Sequence, residues 1–69
     1  KVVEFFFDLE STAGDRVSRT LMVAVPDNKV ENQKFVEEQG RHAVQRLIDE
    51  YRMIHAETVI WYSWGRKQQ

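Results

Sequence analysis

No cysteine occurs in this chain, so neither a disulfide nor a thiolate metal cluster can brace it. The two histidines, His42 and His55, stand thirteen residues apart without patterned partners, and no metal or cofactor is expected. Proline occurs once, at Pro26, and glycine three times, which leaves few places where the chain must break. No run approaches the ~18 apolar residues of a membrane span, and the apolar N-terminal segment is interrupted by Glu4 and Asp8, unlike a signal peptide. Ten basic against eleven acidic residues remove the positive footprint of a dedicated duplex-DNA binder. The expectation is a cytoplasmic protein without membrane association.

What remains is 69 residues, read as one domain over 1–69 with a polar, frayed end at 65–69. A chain of this size buries only about 60% of its unfolded surface, and without staples it commonly gains burial from a second copy or a partner.

The longest periodic stretch runs from Asn28 to Met53. Asn28 precedes Glu31 by three residues, the spacing of a capping box. Val36, Gly40, Ala43, Val44, Leu47, Tyr51 and Ile54 then recur at intervals of three and four, one stripe of a helix. Lys34, Glu37, Glu38, Arg41, Gln45, Asp49 and Arg52 lie opposite. Charged pairs such as Glu37 with Arg41 and Glu38 with His42 are worth about 0.2–0.5 kcal/mol each and mark a solvated surface. Gly40 in mid-helix costs roughly 1 kcal/mol against alanine, which points to close packing on a strand.

Before the helix, Val3, Phe5, Phe7 and Leu9 alternate with Val2, Glu4, Phe6, Asp8 and Glu10, the pattern of a half-buried strand. Val17, Leu21, Val23 and Val25 repeat it. A loop ending in Gly14 at positive φ closes the hairpin, in a register that sets Phe5 against Leu21, Val3 against Val23 and Glu10 against Arg16. Arg19 falls among the inward positions opposite Phe7, where its stem can snorkel and its guanidinium can cover the ring. Glu57 to Trp64, rich in β-branched and aromatic residues, reads as a third strand beside the first. The predicted fold is α+β: a two-layer ββαβ sandwich, its three-stranded antiparallel sheet in order 2-1-3 with one long helix on one face.

One helix shelters only one face of such a sheet, and the third strand is apolar on both. With Ile60 and Tyr62 turned inward, Val59 and Trp61 join Val2, Phe6 and Met22 on the open side, beside the carboxylates Glu4, Asp8 and Glu10. A clustered apolar patch marks a contact site, and Trp and Met are enriched at interfaces. The candidate partner-binding residues are therefore Glu4, Phe6, Asp8, Met22, Val59 and Trp61. They suit a basic protein surface or self-association.

The segment Phe6-Phe7-Asp8-Leu9-Glu10-Ser11-Thr12-Ala13-Gly14 resembles the first motif of the DEDD-type 3′–5′ exonucleases, a strand ending Asp-x-Glu-Thr-Thr-Gly. That resemblance implies Asp8 and Glu10 as ligands of two metal ions. The match covers nine residues, Ala13 precedes the glycine, and no later His-x-x-x-x-Asp follows. Trp61, Tyr62, Trp64, Arg66 and Lys67 interleave aromatic and basic side chains as single-strand binders do, although Glu4, Asp8 and Glu10 would repel phosphate across the sheet. No nucleophile, patterned histidine or phosphate loop is present. The functional expectation is a small non-enzymatic protein-binding module, a homodimer, acting as an accessory or inhibitor protein that covers a partner with the open face. Single-stranded nucleic-acid binding is the alternative, and a fragment of a metal-dependent exonuclease the remote one.

Overall fold

A computed structural model describes residues 1–56 and 58–67. Strand β1 (Val2–Ser11) lies in the centre of a sheet, paired antiparallel with β2 (Arg16–Ala24) on one side and β3 (Ile60–Arg66) on the other. A helix, α1 (Gln33–Ile54), packs on one face. This is the α+β arrangement in order β2-β1-β3 that the sequence predicts.

The hairpin register matches the expectation: Val3 faces Val23, Phe5 faces Leu21 and Glu10 faces Arg16. Gly14 closes the turn at φ 88°, in the left-handed region open to glycine, while its N–H donates to the Ser11 carbonyl at 3.1 Å. With the apolar set of β1 turned to the helix, Val3, Phe5, Phe7 and Leu9 are all buried. Each such burial stabilises by about 1.5–3 kcal/mol. Phe5 and Val3 gather Val25 and Val36, Phe7 and Leu9 gather Val44 and Ile48, and Leu21 and Trp64 touch both groups. Arg19 is exposed, and the cation-π contact found among the described residues joins Lys29 to Phe35 instead.

The helix begins later than its sequence suggests. Pro26 opens a 3-10 turn over Asp27–Lys29, which makes no side-chain cap. The helix cap is Asn32, whose side chain accepts from the Phe35 N–H at 3.1 Å. Asn28 and Asn32 both satisfy capping chemistry, and the fixed φ of Pro26 favours a tight turn at the first of them. The buried row is Val36, Gly40, Val44 and Ile48. A row of fours is inclined to the helix axis, so the contact line crosses the helix obliquely. That brings in Ile48, which the straight stripe omits, and leaves Ile54 78% exposed.

Gly40 sits directly on Phe5. A Cβ built at Gly40 would lie 2.4 Å from the Phe5 ring, and Phe5 has no exposed surface into which it could retreat. The glycine is a packing requirement of the strand beneath it.

Strand β3 differs from its expected span of Glu57 to Trp64. It starts at Ile60 and continues through Gly65 and Arg66, which pair with Phe6 and Phe5 where a frayed end was expected. Glu57, Gln68 and Gln69 lie outside the described residues. Trp64 is the inward anchor of β3, its ring 6.0 Å from that of Phe5. Tyr62, expected inside with Ile60, packs one flank near Phe7 but stays 47% exposed, because it stands on an edge strand with no neighbour beyond it.

The far end of the helix is tied to the hairpin. The Tyr51 hydroxyl lies 2.6 Å from Ser11 Oγ and 2.8 Å from Asp15 Oδ2, and the His55 ring stacks on Tyr51 with centroids 4.5 Å apart. His55 Nε2 approaches the same Asp15 oxygen at 3.7 Å. Burial raises the Tyr51 hydroxyl's pKa; the Ser11 bond opposes this, and the bond and negative charge of Asp15 add to it.

Gly40→Ala adds helix propensity yet should sharply lower the melting temperature, since the new methyl collides with Phe5; a rise on thermal circular dichroism would refute the packing account. Tyr51→Phe should lower the melting temperature by roughly 4–8 °C through loss of its hydrogen bonds. Because the folded state raises the tyrosine's pKa, its contribution is fully present below pH about 10 and lost as pH climbs through the folded value. Wild type should therefore lose stability above that pH more steeply than Tyr51→Phe, as measured by urea melts across the alkaline range.

Candidate functional site

The face of the sheet away from α1 is built by alternation along three strands. From β1 it receives Val2, Glu4, Phe6, Asp8 and Glu10, and across them stand rows set by the register. Phe6 lies between Thr20 and Gly65, Asp8 between Ser18 and Ser63, and Glu10 between Arg16 and Trp61. Trp61 is 60% exposed and Met22 72%, so the open side keeps the large apolar groups the sequence assigns to it.

Their distribution differs from a single patch. The middle row of Asp8, Ser18 and Ser63 is polar, and Ser18 donates to Asp8 Oδ1 at 2.7 Å. It separates two poles. Phe6 and the Trp61 row are four residues apart along β1, about 13 Å at the rise of a strand. One pole holds Trp61 and the exposed Val59, whose N–H donates to Thr12 Oγ1 at 3.2 Å. The other holds Val2, Met22, Phe6 and the half-buried Glu4. Of the six sequence-predicted residues, Val59 and Trp61 thus lie at one end, Glu4, Phe6 and Met22 at the other, and Asp8 in the polar row between them.

Each pole has its own electrostatics. Beside Trp61, the Glu10 carboxylate pairs with Arg16 at 2.8 Å, both largely exposed. Asp8, Glu10, Trp61, Tyr62 and Ser63 line a shallow depression open to solvent. The sequence did not flag Tyr62 as part of it, because alternation alone assigns that ring to the core. Among the described residues no group of three or more His, Cys, Asp or Glu gathers to hold a metal ion. At the other pole the Phe6 ring lies across Gly65, where a Cβ would come within 2.7 Å of it. Lys67 hydrogen-bonds the Glu4 carbonyl through its N–H and reaches Thr20 Oγ1 with Nζ at 2.9 Å. Since Lys67 and Thr20 stand on opposite sides of β1, the lysine stem crosses the strand at the row of Phe6, whose ring stays partly exposed.

Two further features were not legible as sites. A wider cleft opens where the start of α1 diverges from the sheet, with Val30, Gln33 and Glu37 on one wall and Val2, Arg66 and Lys67 on the other. The Tyr51, Ser11, Asp15 and His55 cluster lies at the opposite end of the molecule; the four-residue spacing of Tyr51 and His55 was its one signal. No helix among the described residues is long and apolar enough to cross a membrane. Compared with protein-family models, with curated proteins and with solved structures, the chain matches none.

Proposed function

We propose that this chain is a small non-enzymatic protein-binding module that works as a homodimer. In this reading it is an accessory or inhibitor protein that covers part of a partner's surface with the uncovered face of its sheet. The observation that carries the reading is Trp61, an exposed indole at the rim of a shallow depression whose other walls include Asp8 and Glu10. Tryptophan at the centre of a contact contributes heavily to affinity, and neighbouring carboxylates select for basic groups. The partner chemistry that fits is an Arg- or Lys-bearing protein surface with an apolar group to meet the indole.

Homodimerisation enters through size. A chain of 69 residues without cysteine has a small core, and a second copy supplies additional burial. The same carboxylates disfavour the phosphate backbone of a nucleic acid on this face.

Trp61→Ala should leave the melting temperature within about 2 °C of wild type, because an exposed side chain contributes little to the core. On immobilised protein, capture of a basic partner from an extract of the source cells should fall by tenfold or more. Asp8→Asn with Glu10→Gln should weaken the same capture most at low salt. Unfolding of Trp61→Ala, or equal capture by wild type and both variants, would overturn the reading. So would a labelled single-stranded oligonucleotide retained at low salt and released steeply as salt rises.

A further inference from the structure

The two outer strands expose very different edges. Bonds from Lys67 N–H to the Glu4 carbonyl and from Thr12 N–H to the Val59 carbonyl fix which residues of β3 face β1. In an antiparallel ladder these alternate, so Trp61, Ser63 and Gly65 direct their backbone groups to β1, and Ile60, Tyr62, Trp64 and Arg66 direct theirs outward. Among the described residues no hydrogen bond engages those four outside the sheet. The edge of β2 carries Arg16 and Arg19, the charged guards that keep an edge from pairing. On β3 the charge sits at the end, on Arg66; the preceding Ile60-Trp61-Tyr62-Ser63-Trp64-Gly65 has no charge and no proline, and every position but serine and glycine is a strong strand former. An unguarded edge of this composition is a pairing surface.

Its sequence is complementary to itself. Run antiparallel against a second copy about a two-fold axis through Ser63, the outward residues meet as Tyr62 with Trp64 and Ile60 with Arg66, giving roughly eight backbone hydrogen bonds. The two Arg66 side chains sit at opposite ends of the interface, so no like charges face each other. On the helix side, the exposed flank of Tyr62 is covered by Trp64 of the second copy. On the open side, Trp61 of one copy falls opposite Gly65 of the other. Gly65 carries no side chain, and the Phe6 ring already lies across it. Trp61 and Phe6, about 13 Å apart along the strand within one chain, therefore come into one row across the dimer, and the two apolar poles join.

We infer that the chain dimerises by pairing β3 with β3 of a second copy in this register, forming a six-stranded sheet with both helices on one side. The inference rests on the homodimer part of the proposed function and assigns its interface; the joined open face remains available to a partner.

Ser63 is exposed and stands on the axis, opposite itself in a non-hydrogen-bonded pair where side chains approach closely. Ser63→Lys and Ser63→Glu should each raise the dimer dissociation constant by roughly fivefold through like-charge opposition. Mixed one to one, they should form a Lys/Glu heterodimer in excess of either homodimer, read by native mass spectrometry. Wild type should weigh twice the 8.2 kDa chain by sedimentation equilibrium, with the Tyr62 and Trp64 amides protected from hydrogen exchange. A wild type that stays monomeric at millimolar concentration overturns the dimer altogether, leaving partner binding by the open face to stand or fall separately. A wild-type dimer whose Tyr62 and Trp64 amides exchange freely, or whose Ser63 variants associate as wild type does, overturns the edge alone. A mixture without preference for the heterodimer overturns the register.

Discussion

Phe5 against the bare backbone of Gly40 is the contact on which the arrangement depends. The ring has no exposed surface, and the helix approaches so closely that a single added carbon would meet it at 2.4 Å. Interiors packed at crystal-like density transmit such a displacement to their neighbours. Because Phe5 also meets Trp64 and lies across from Leu21, one close approach sets the height of the helix over all three strands. The oblique row of Val36, Gly40, Val44 and Ile48 follows from it, and the cap at Asn32 and the Tyr51 hydroxyl hold the two ends of that row in place.

The same geometry decides what is left open. A single helix laid along the central strand covers the inner side of β1 completely and the outer strands in part, which is why Tyr62 remains half in water while Leu9, its neighbour on β1, is buried. The far side receives nothing from above. Its polar middle row of Asp8, Ser18 and Ser63 keeps Trp61 away from Phe6 and Met22 within one chain, so no continuous apolar strip forms there. Within one chain the Trp61 indole therefore stands apart from the apolar groups of the other pole, in a shallow depression beside the carboxylates of Asp8 and Glu10.

The strands were legible because their alternation is nearly unbroken: four inward apolar residues on β1 and a glycine at the one turn position needing positive φ leave a single acceptable register. Gly40 announced a close approach by its cost. Other features lay beyond local pattern. Two asparagines four residues apart compete for the cap, and the winner depends on how Pro26 directs the turn. Period alone cannot reveal that the buried row drifts to Ile48, since the drift comes from the angle at which helix meets sheet. Trp64 and Tyr62 share one side of β3, and only their positions relative to Phe5 and Phe7 decide which of them is sheltered. The bonds from Tyr51 to Ser11 and Asp15 span forty and thirty-six residues, out of reach of any local reading.

Placing the first strand in the middle has a consequence for the order in which the molecule can be assembled. The pairing of Leu9 with Val17 needs one short loop, whereas that of Phe7 with Trp64 must wait until the helix and β3 behind it have emerged. Loop closure is slower and costlier for the distant pair. During synthesis the hairpin and helix can therefore be in place while one flank of β1 is still bare, and the uncharged run of β3 is the last of the three strands to find its seat.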